Sequence, residues 1–393
     1  VSGERAAIGA FRLLERLGIG ALGESFLAVR DVDPDDGGAD ASADAAVGSE
    51  PPPPGPSRGA GLPTPVRGGA PVESPTATST GRFPRSRYDP GTGGPSADGR
   101  PDLGVLPAAR GTTRTRRKLV LKVLHPHLVG HREAQGLFEH EAQLLDALDH
   151  PAIPRLEGTG WFAGRPYLAM SWVPGRDLTS LLATGGQSAG PSAPNRGALG
   201  LRGAVELGVQ LADALEHAHG LVDADGRSLD LVHRDVAPDN IRIDALGRVH
   251  LLDFGVAWSR WLPEGCRHGV RGTPRYMAPE QVRGELPDRR ADVYALGALL
   301  FEGLSGRRVR SGEGPAVLID AADRPAPPLL GLEPSLPPEV CSIVDQALVL
   351  DPRDRTADAG EVGASLRQAA IYLGLDAPGD GAALATRPLA AAG

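Results

Sequence analysis

Two short stretches hold the residues best suited to chemistry: His233-Arg234-Asp235-Val236-Ala237-Pro238-Asp239-Asn240 and, a little later, Asp253-Phe254-Gly255. Strand-like runs at residues 241–243 and 249–252 precede the second stretch, so two loops bring Asp235, Asn240 and Asp253 to one mouth. A carboxylate beside an attacking hydroxyl and hard oxygen ligands for Mg²⁺ are what phosphoryl transfer asks of a protein. These three residues supply them.

Two weaker features lie upstream. Gly18-Ile19-Gly20-Ala21-Leu22-Gly23 stands between strand-like runs, and glycines there let backbone N–H groups approach phosphate oxygens with no Cβ in the way. A plain tight turn has the same spacing. Lys122 is a lone cation in the apolar strand Leu119-Val120-Leu121-Lys122-Val123, and Glu141 follows in a helix. A buried ammonium needs a carboxylate partner, and a purely structural salt bridge reads the same way.

The elements that must position these groups follow from periodicity. Residues 11–30 read as two short strands around the glycine turn, and 119–123 as a third. Leu137, Phe138, Leu144, Leu145 and Leu148 recur at helical spacing across 133–148, and residues 205–218 and 291–304 also read as helices with apolar faces. Strands early and helices late predict two unequal lobes of an α+β fold.

Composition sets the outer limits. A chain of 393 residues, 41% hydrophobic, can bury a sizeable core, yet 53 Gly, 37 Pro and only 4% aromatics predict that part of it does not fold. That part is residues 31–117, rich in Pro, Gly, Ala, Ser and Thr, acidic at its start and basic at its end, with no apolar period. It is read as a disordered insert whose Pro-rich run suits either plain linker or a partner that reads polyproline helices. A second Gly/Ser/Pro stretch covers about 183–202, and residues 374–393 read as a flexible tail. The net charge of −8 argues against nucleic-acid binding. Only Cys266 and Cys341 are present, which fits a reducing cytoplasm, and no apolar run reaches the roughly 18–20 residues of a membrane span. His125, His127 and His131 cluster without a metal-ligand spacing and read as a solvated turn.

Over about residues 8–30 and 119–373, the chain resembles the eukaryotic-like (Hanks-type) serine/threonine protein kinases of bacteria. Glu141-Ala142 through Leu148-Asp149-His150-Pro151 is similar to the family's segment from its C-helix (αC) to its fourth strand, and Tyr167-Leu168-Ala169-Met170 to the strand entering its hinge. Gly272-Thr273-Pro274-Arg275-Tyr276-Met277-Ala278-Pro279-Glu280 and Asp292-Val293-Tyr294-Ala295-Leu296-Gly297 are similar to the end of its activation segment and to its buried central helix. The resemblance implies a two-lobed protein-kinase-like fold spanning residues 8–373: a small antiparallel β lobe with αC over about 8–170, a hinge near 171–173, and a larger, mainly helical lobe over 174–373. It implies ATP and Mg²⁺ as cofactors and protein Ser/Thr hydroxyls as substrate, the hydroxyl class resting on Pro238 and Gly272-Thr273-Pro274.

By the same resemblance Gly18, Gly20 and Gly23 cover the phosphates, Lys122 held by Glu141 orients them, Met170 is the gatekeeper and Asp177 reaches the ribose. Asp235 is the catalytic base, Asn240 and Asp253 hold Mg²⁺, Asp292 braces the catalytic loop, and Arg355 pairs with Glu280. Four positions depart from the pattern: Ser25, Val120 and Arg242 around the base, and Ala237 in place of a catalytic-loop lysine. They motivate a second reading, a pseudokinase that senses nucleotide or scaffolds a partner. Arg234 is of the kind that pairs with a phosphorylated activation segment, yet Ser259, Thr273 and Tyr276 are the only hydroxyl residues between Asp253 and Glu280. Phosphosites are therefore expected in the insert, among Ser74, Thr76, Thr78, Ser79 and Thr80.

Overall fold

A computed structural model describes residues 7–8, 11–32, 115–185, 199–310, 323–375 and 384. Six strands, β1 (Ala7–Ile8), β2 (Phe11–Ile19), β3 (Gly23–Val32), β4 (Thr115–Leu124), β5 (Leu156–Phe162) and β6 (Arg165–Ser171), form one antiparallel sheet in the order β1-β2-β3-β4-β6-β5. Side chains alternate along a strand, so Leu119, Leu121 and Val123 of β4 share one face. There they pack with Ile8, Phe11, Ala28 and Ala169. Val120 and Lys122 take the other face, opposite Met170 and Leu168 in the register with β6.

That second face is covered by α1 (Arg132–Ala147), whose Ala134, Phe138 and Ala142 pack on Leu124 and Leu168. Its buried residues include Ala134, Leu137, Phe138, Glu141, Ala142, Leu144 and Leu145, the stripe that a 3.6-residue period draws on one side. Glu141 lies on this stripe, three residues after Phe138 and four after Leu137. The helix expected over 133–148 is thus present, and its period aims the carboxylate at the strand carrying Lys122.

The larger lobe holds α2 (Leu178–Gly185), α3 (Gly200–His219), α4 (Pro279–Val282), α5 (Arg290–Ser305), α6 (Leu329–Leu332), α7 (Pro338–Ala347) and α8 (Ala359–Tyr372). Every residue of α5 from Ala291 to Ser305 is buried, so this helix is the axis on which the lobe packs. It stops at Gly306, whose φ of 69° is the left-handed conformation that favours glycine after a helix. A small sheet of β7 (Arg176–Asp177), β8 (Ile241–Ile243) and β9 (Val249–Leu251) faces the first lobe. The two-lobed α+β fold is what the sequence predicted.

The structure moves several boundaries. Pairing between β3 and β4 continues to Val32↔Thr115, into both ends of the stretch read as an insert; residues 33–114, with the expected phosphosites, lie outside the described residues. The second Gly/Ser/Pro stretch is shorter than expected, because α2 runs to Gly185 and α3 starts at Gly200. Within the expected tail, Leu384 is buried and its backbone N–H donates to Glu206 Oε2 at 3.2 Å. At that point the chain is docked on α3.

Candidate active site

Lys122 joins the two lobes. Its Nζ lies 2.8 Å from both carboxylate oxygens of Glu141 and 2.7 Å from Asp253 Oδ1. Burial by itself lowers the ammonium's pKa, but the Asp253 and Glu141 charges outweigh it and hold the group above its ordinary value. Asp253 also feels burial pushing it up, yet Lys122 and the Gly255 N–H hold it at about 2. Glu141 is pushed up by burial, with Asp253 adding to the push and Lys122 opposing it. With both Glu141 oxygens on the ammonium, the ion pair is the state the geometry supports. Removing one member of such a buried pair costs roughly 3–5 kcal/mol, because the other is left uncompensated.

The loop before β8 is braced from beneath. Asp292, at the start of α5, accepts the backbone N–H of His233 on Oδ2 at 2.8 Å and that of Arg234 on Oδ1 at 2.9 Å, while His219 Nε2 sits 2.8 Å from Oδ2. These bonds hold a backbone that bends sharply: Arg234 has φ 67°, and Asp253 on the facing loop has φ 59°. Left-handed geometry in such residues costs about 1–2 kcal/mol each and is found where a side chain must be aimed. Leu252 N–H donates to Asn240 O at 2.8 Å, which ties the two loops together.

Asp235 is held on both sides. Thr273 donates its backbone N–H and its hydroxyl to Asp235 Oδ1, each at 2.7 Å. The Asn240 amide nitrogen donates to Asp235 Oδ2 at 2.8 Å and to its carbonyl at 2.9 Å. This leaves the Asn240 side-chain oxygen Oδ1 able to serve as a hard ligand. Further down, Arg355 binds Glu280 with two nitrogens at 2.7 and 3.0 Å, the pairing the resemblance implied.

Above these groups opens a cleft lined by Leu17, Gly18, Ser25, Val120, Met170 and Leu252, with Lys122, Asn240 and Asp253 at its polar end. Apolar walls converging on a few polar groups suit a planar base with a charged tail. The Asp253 side chain is 47% exposed in this cleft. Among the described residues no group of three or more His, Cys, Asp or Glu could hold a metal unaided. One carboxylate and one amide oxygen fit a Mg²⁺ that completes its shell with phosphate oxygens and water. Both ATP and Mg²⁺ therefore suit the residues present.

Other expected residues have partners of their own within the fold. Of the three glycines, Gly18 lines the cleft. A Cβ on Gly23 would lie 2.3 Å from Val123 O, so this glycine is required by the close approach of β3 to β4. Asp177 also caps α2, accepting the Ser180 N–H at 2.7 Å and hydroxyl at 2.6 Å. Arg242 does line the cleft, and its guanidinium lies over the Trp172 ring, 4.9 Å from the centroid, while donating to Val173 O at 3.3 Å. Stacking on the hinge tryptophan accounts for an arginine where an aliphatic residue is usual. Ala237 is fully buried and brings no charge to the cleft.

Residues 108–363 match the protein kinase domain family, which is more than half of the chain. The chain belongs to the protein kinase family. The match begins just before β4; β3, paired to β4, and β2, paired to β3, complete the small lobe of this kinase. It is 34% identical over 247 residues to the tyrosine-protein kinase MasK of Myxococcus xanthus, covering 62% of this chain and 37% of that one. It is 34% identical over 266 residues to the serine/threonine-protein kinase PknB of Mycolicibacterium smegmatis, with 64% and 39% covered. Against the serine/threonine-protein kinase PrkC of Bacillus subtilis it is 30% identical over 255 residues, with 64% and 36% covered. The kinase thus spans well under half the length of these relatives. Among its described residues no helix is long and apolar enough to cross a membrane.

Proposed function

We propose that this kinase transfers the γ-phosphoryl of Mg·ATP to serine and threonine hydroxyls of proteins, itself included. The observation that carries the reading is the assembled contact of Lys122 with both Glu141 and Asp253, which spans the lobes and supports catalysis over a scaffold role. Among the relatives, PknB and PrkC are named serine/threonine kinases and MasK a tyrosine kinase. The hydroxyl class therefore rests on Pro238 and on Gly272-Thr273-Pro274, supported by the Thr273 bonds to Asp235.

In this reading Asp235 accepts the hydroxyl proton of the substrate, with Thr273 and Asn240 fixing its two oxygens. Asn240 and Asp253 would hold Mg²⁺, which would supply positive charge against the phosphates. Lys122, kept charged by its two carboxylates, orients the phosphates; Gly18, Gly20 and Gly23 cover them; Met170 and Asp177 border the base and ribose. Ala237 supplies no donor at the transferring phosphoryl, and the loss of one such preorganised charge costs about 10²–10³ in rate. Slow transfer is accordingly the expected behaviour. We take residues 8–373 as the catalytic unit and place it in the cytoplasm, in keeping with two free, buried cysteines.

The test is transfer of radiolabelled phosphate from ATP, wild type beside Asp253→Asn. Mg²⁺-dependent label on wild type and its loss in the variant are expected. Equal labelling of the two would overturn the reading and leave a scaffold.

A further inference from the structure

His125 follows the last residue of β4, next to the glycine-rich turn. It precedes Pro126, which restricts it to extended backbone, here φ −58° and ψ 142°. From that fixed position its backbone N–H donates to Leu22 O at 2.9 Å, and its ring Nε2 lies 2.9 Å from Gly20 O. A carbonyl oxygen only accepts, so Nε2 carries the proton. The ring is stacked on His127, centroids 5.3 Å apart and planes 19° apart, which limits its rotation.

One residue thus holds two carbonyls of the same turn, and the Gly20 N–H closes the turn on Gly23 O at 2.8 Å. In a trans peptide the C=O and the following N–H point opposite ways. Fixing the Gly20 carbonyl on His125 therefore directs the Ala21 N–H away from His125. A glycine turn is otherwise free to rotate its peptide planes, and an N–H already set in direction loses less entropy when it meets an anion.

We propose that His125 is a positioning residue that presets the 18–23 turn for the phosphates of the bound nucleotide, an inference that rests on the reading of the cleft as an ATP site. A residue that merely buttresses the lobe affects every ligand of the cleft alike. A residue that sets phosphate donors affects only ligands that carry phosphate.

The experiment measures dissociation constants by calorimetry for a nonhydrolysable Mg·ATP analogue and for adenosine, using wild type, His125→Ala and His125→Gln, with thermal melting to verify folding. Loss of one neutral hydrogen bond is expected to weaken the analogue about three- to tenfold in His125→Ala and to leave adenosine within about twofold. His125→Gln, whose amide N–H can reach the same carbonyl, should recover most of the loss. Equal weakening of both ligands, or no weakening of the analogue, overturns the proposal. Wild type that binds neither ligand overturns the ATP-site reading itself, and the proposal with it.

Discussion

His140, one residue before Glu141, is buried against the segment that follows Asp253, with Nε2 2.7 Å from Ser259 Oγ. Burial, with the nearby Arg234 cation adding to it, lowers its pKa from 6.5 to about 4. A depressed folded-state pKa means the fold favours the neutral ring. The stabilisation is fully present above about pH 6.5 and is lost as pH falls through about 4. Its full extent is on the order of 3 kcal/mol. In calorimetric melts taken from pH 7 down to 4, wild type should lose melting temperature more steeply than His140→Gln, which keeps a partner for Ser259 but takes up no proton. Parallel curves would show that another group governs the acid response.

At the scale of elements, the segment between Asp253 and α4 is docked on α1 by its own side chains. Leu262 and Cys266 pack on Leu137, Cys266 Sγ lies 3.4 Å from Glu133 O, and Arg271 pairs with Glu133. Arg234 spends its guanidinium on backbone, donating to Val256 O at 2.6 Å and Ala257 O at 3.4 Å. Ser259 is fully buried, Thr273 is committed to Asp235, and Tyr276 donates to Glu302 at 2.6 Å. Burial, joined by the Glu133 charge and opposed by Arg271, raises the Cys266 thiol, which disfavours the thiolate. Activity should therefore be independent of activation-segment phosphorylation. Phosphatase-treated and untreated enzyme are expected to turn over substrate within about twofold of each other. Label on Ser259 or Thr273, together with loss of activity after phosphatase, would show that a phosphate is needed to dock the segment.

At the scale of the whole molecule, β3 and β4 stay paired out to Val32↔Thr115, so their ends are already neighbours. Closure entropy grows only logarithmically with loop length. Replacing residues 33–114 with a short Gly/Ser turn should leave melting temperature and ATP turnover nearly unchanged; a fall of more than about 5 °C, a loss of roughly 1–2 kcal/mol in a domain this large, would mean that the stretch packs on the lobes. The same pairing shows where reading the sequence stopped short. The period of two in β4 and the 3.6-residue stripe of α1 are local, so Lys122 and Glu141 were legible as a pair from spacing alone. So were Asp235, Asn240 and Asp253, because each lies in a loop fixed by a strand beside it. The third glycine, Asp177, Arg242 and His125 were not legible in this way. Gly23 answers to Val123, Asp177 to Ser180, Arg242 to Trp172 and His125 to Gly20, and all but Asp177 meet a neighbour that only folding brings near. The sequence by itself determined which side of β4 carries Lys122 and which side of α1 carries Glu141, since facing is a matter of period. Which of those groups are free to meet a ligand, and which are already bound to another part of the chain, only the tertiary structure decided, since hydrogen bonds and ring contacts depend on distance across the fold and periodicity carries no such distance.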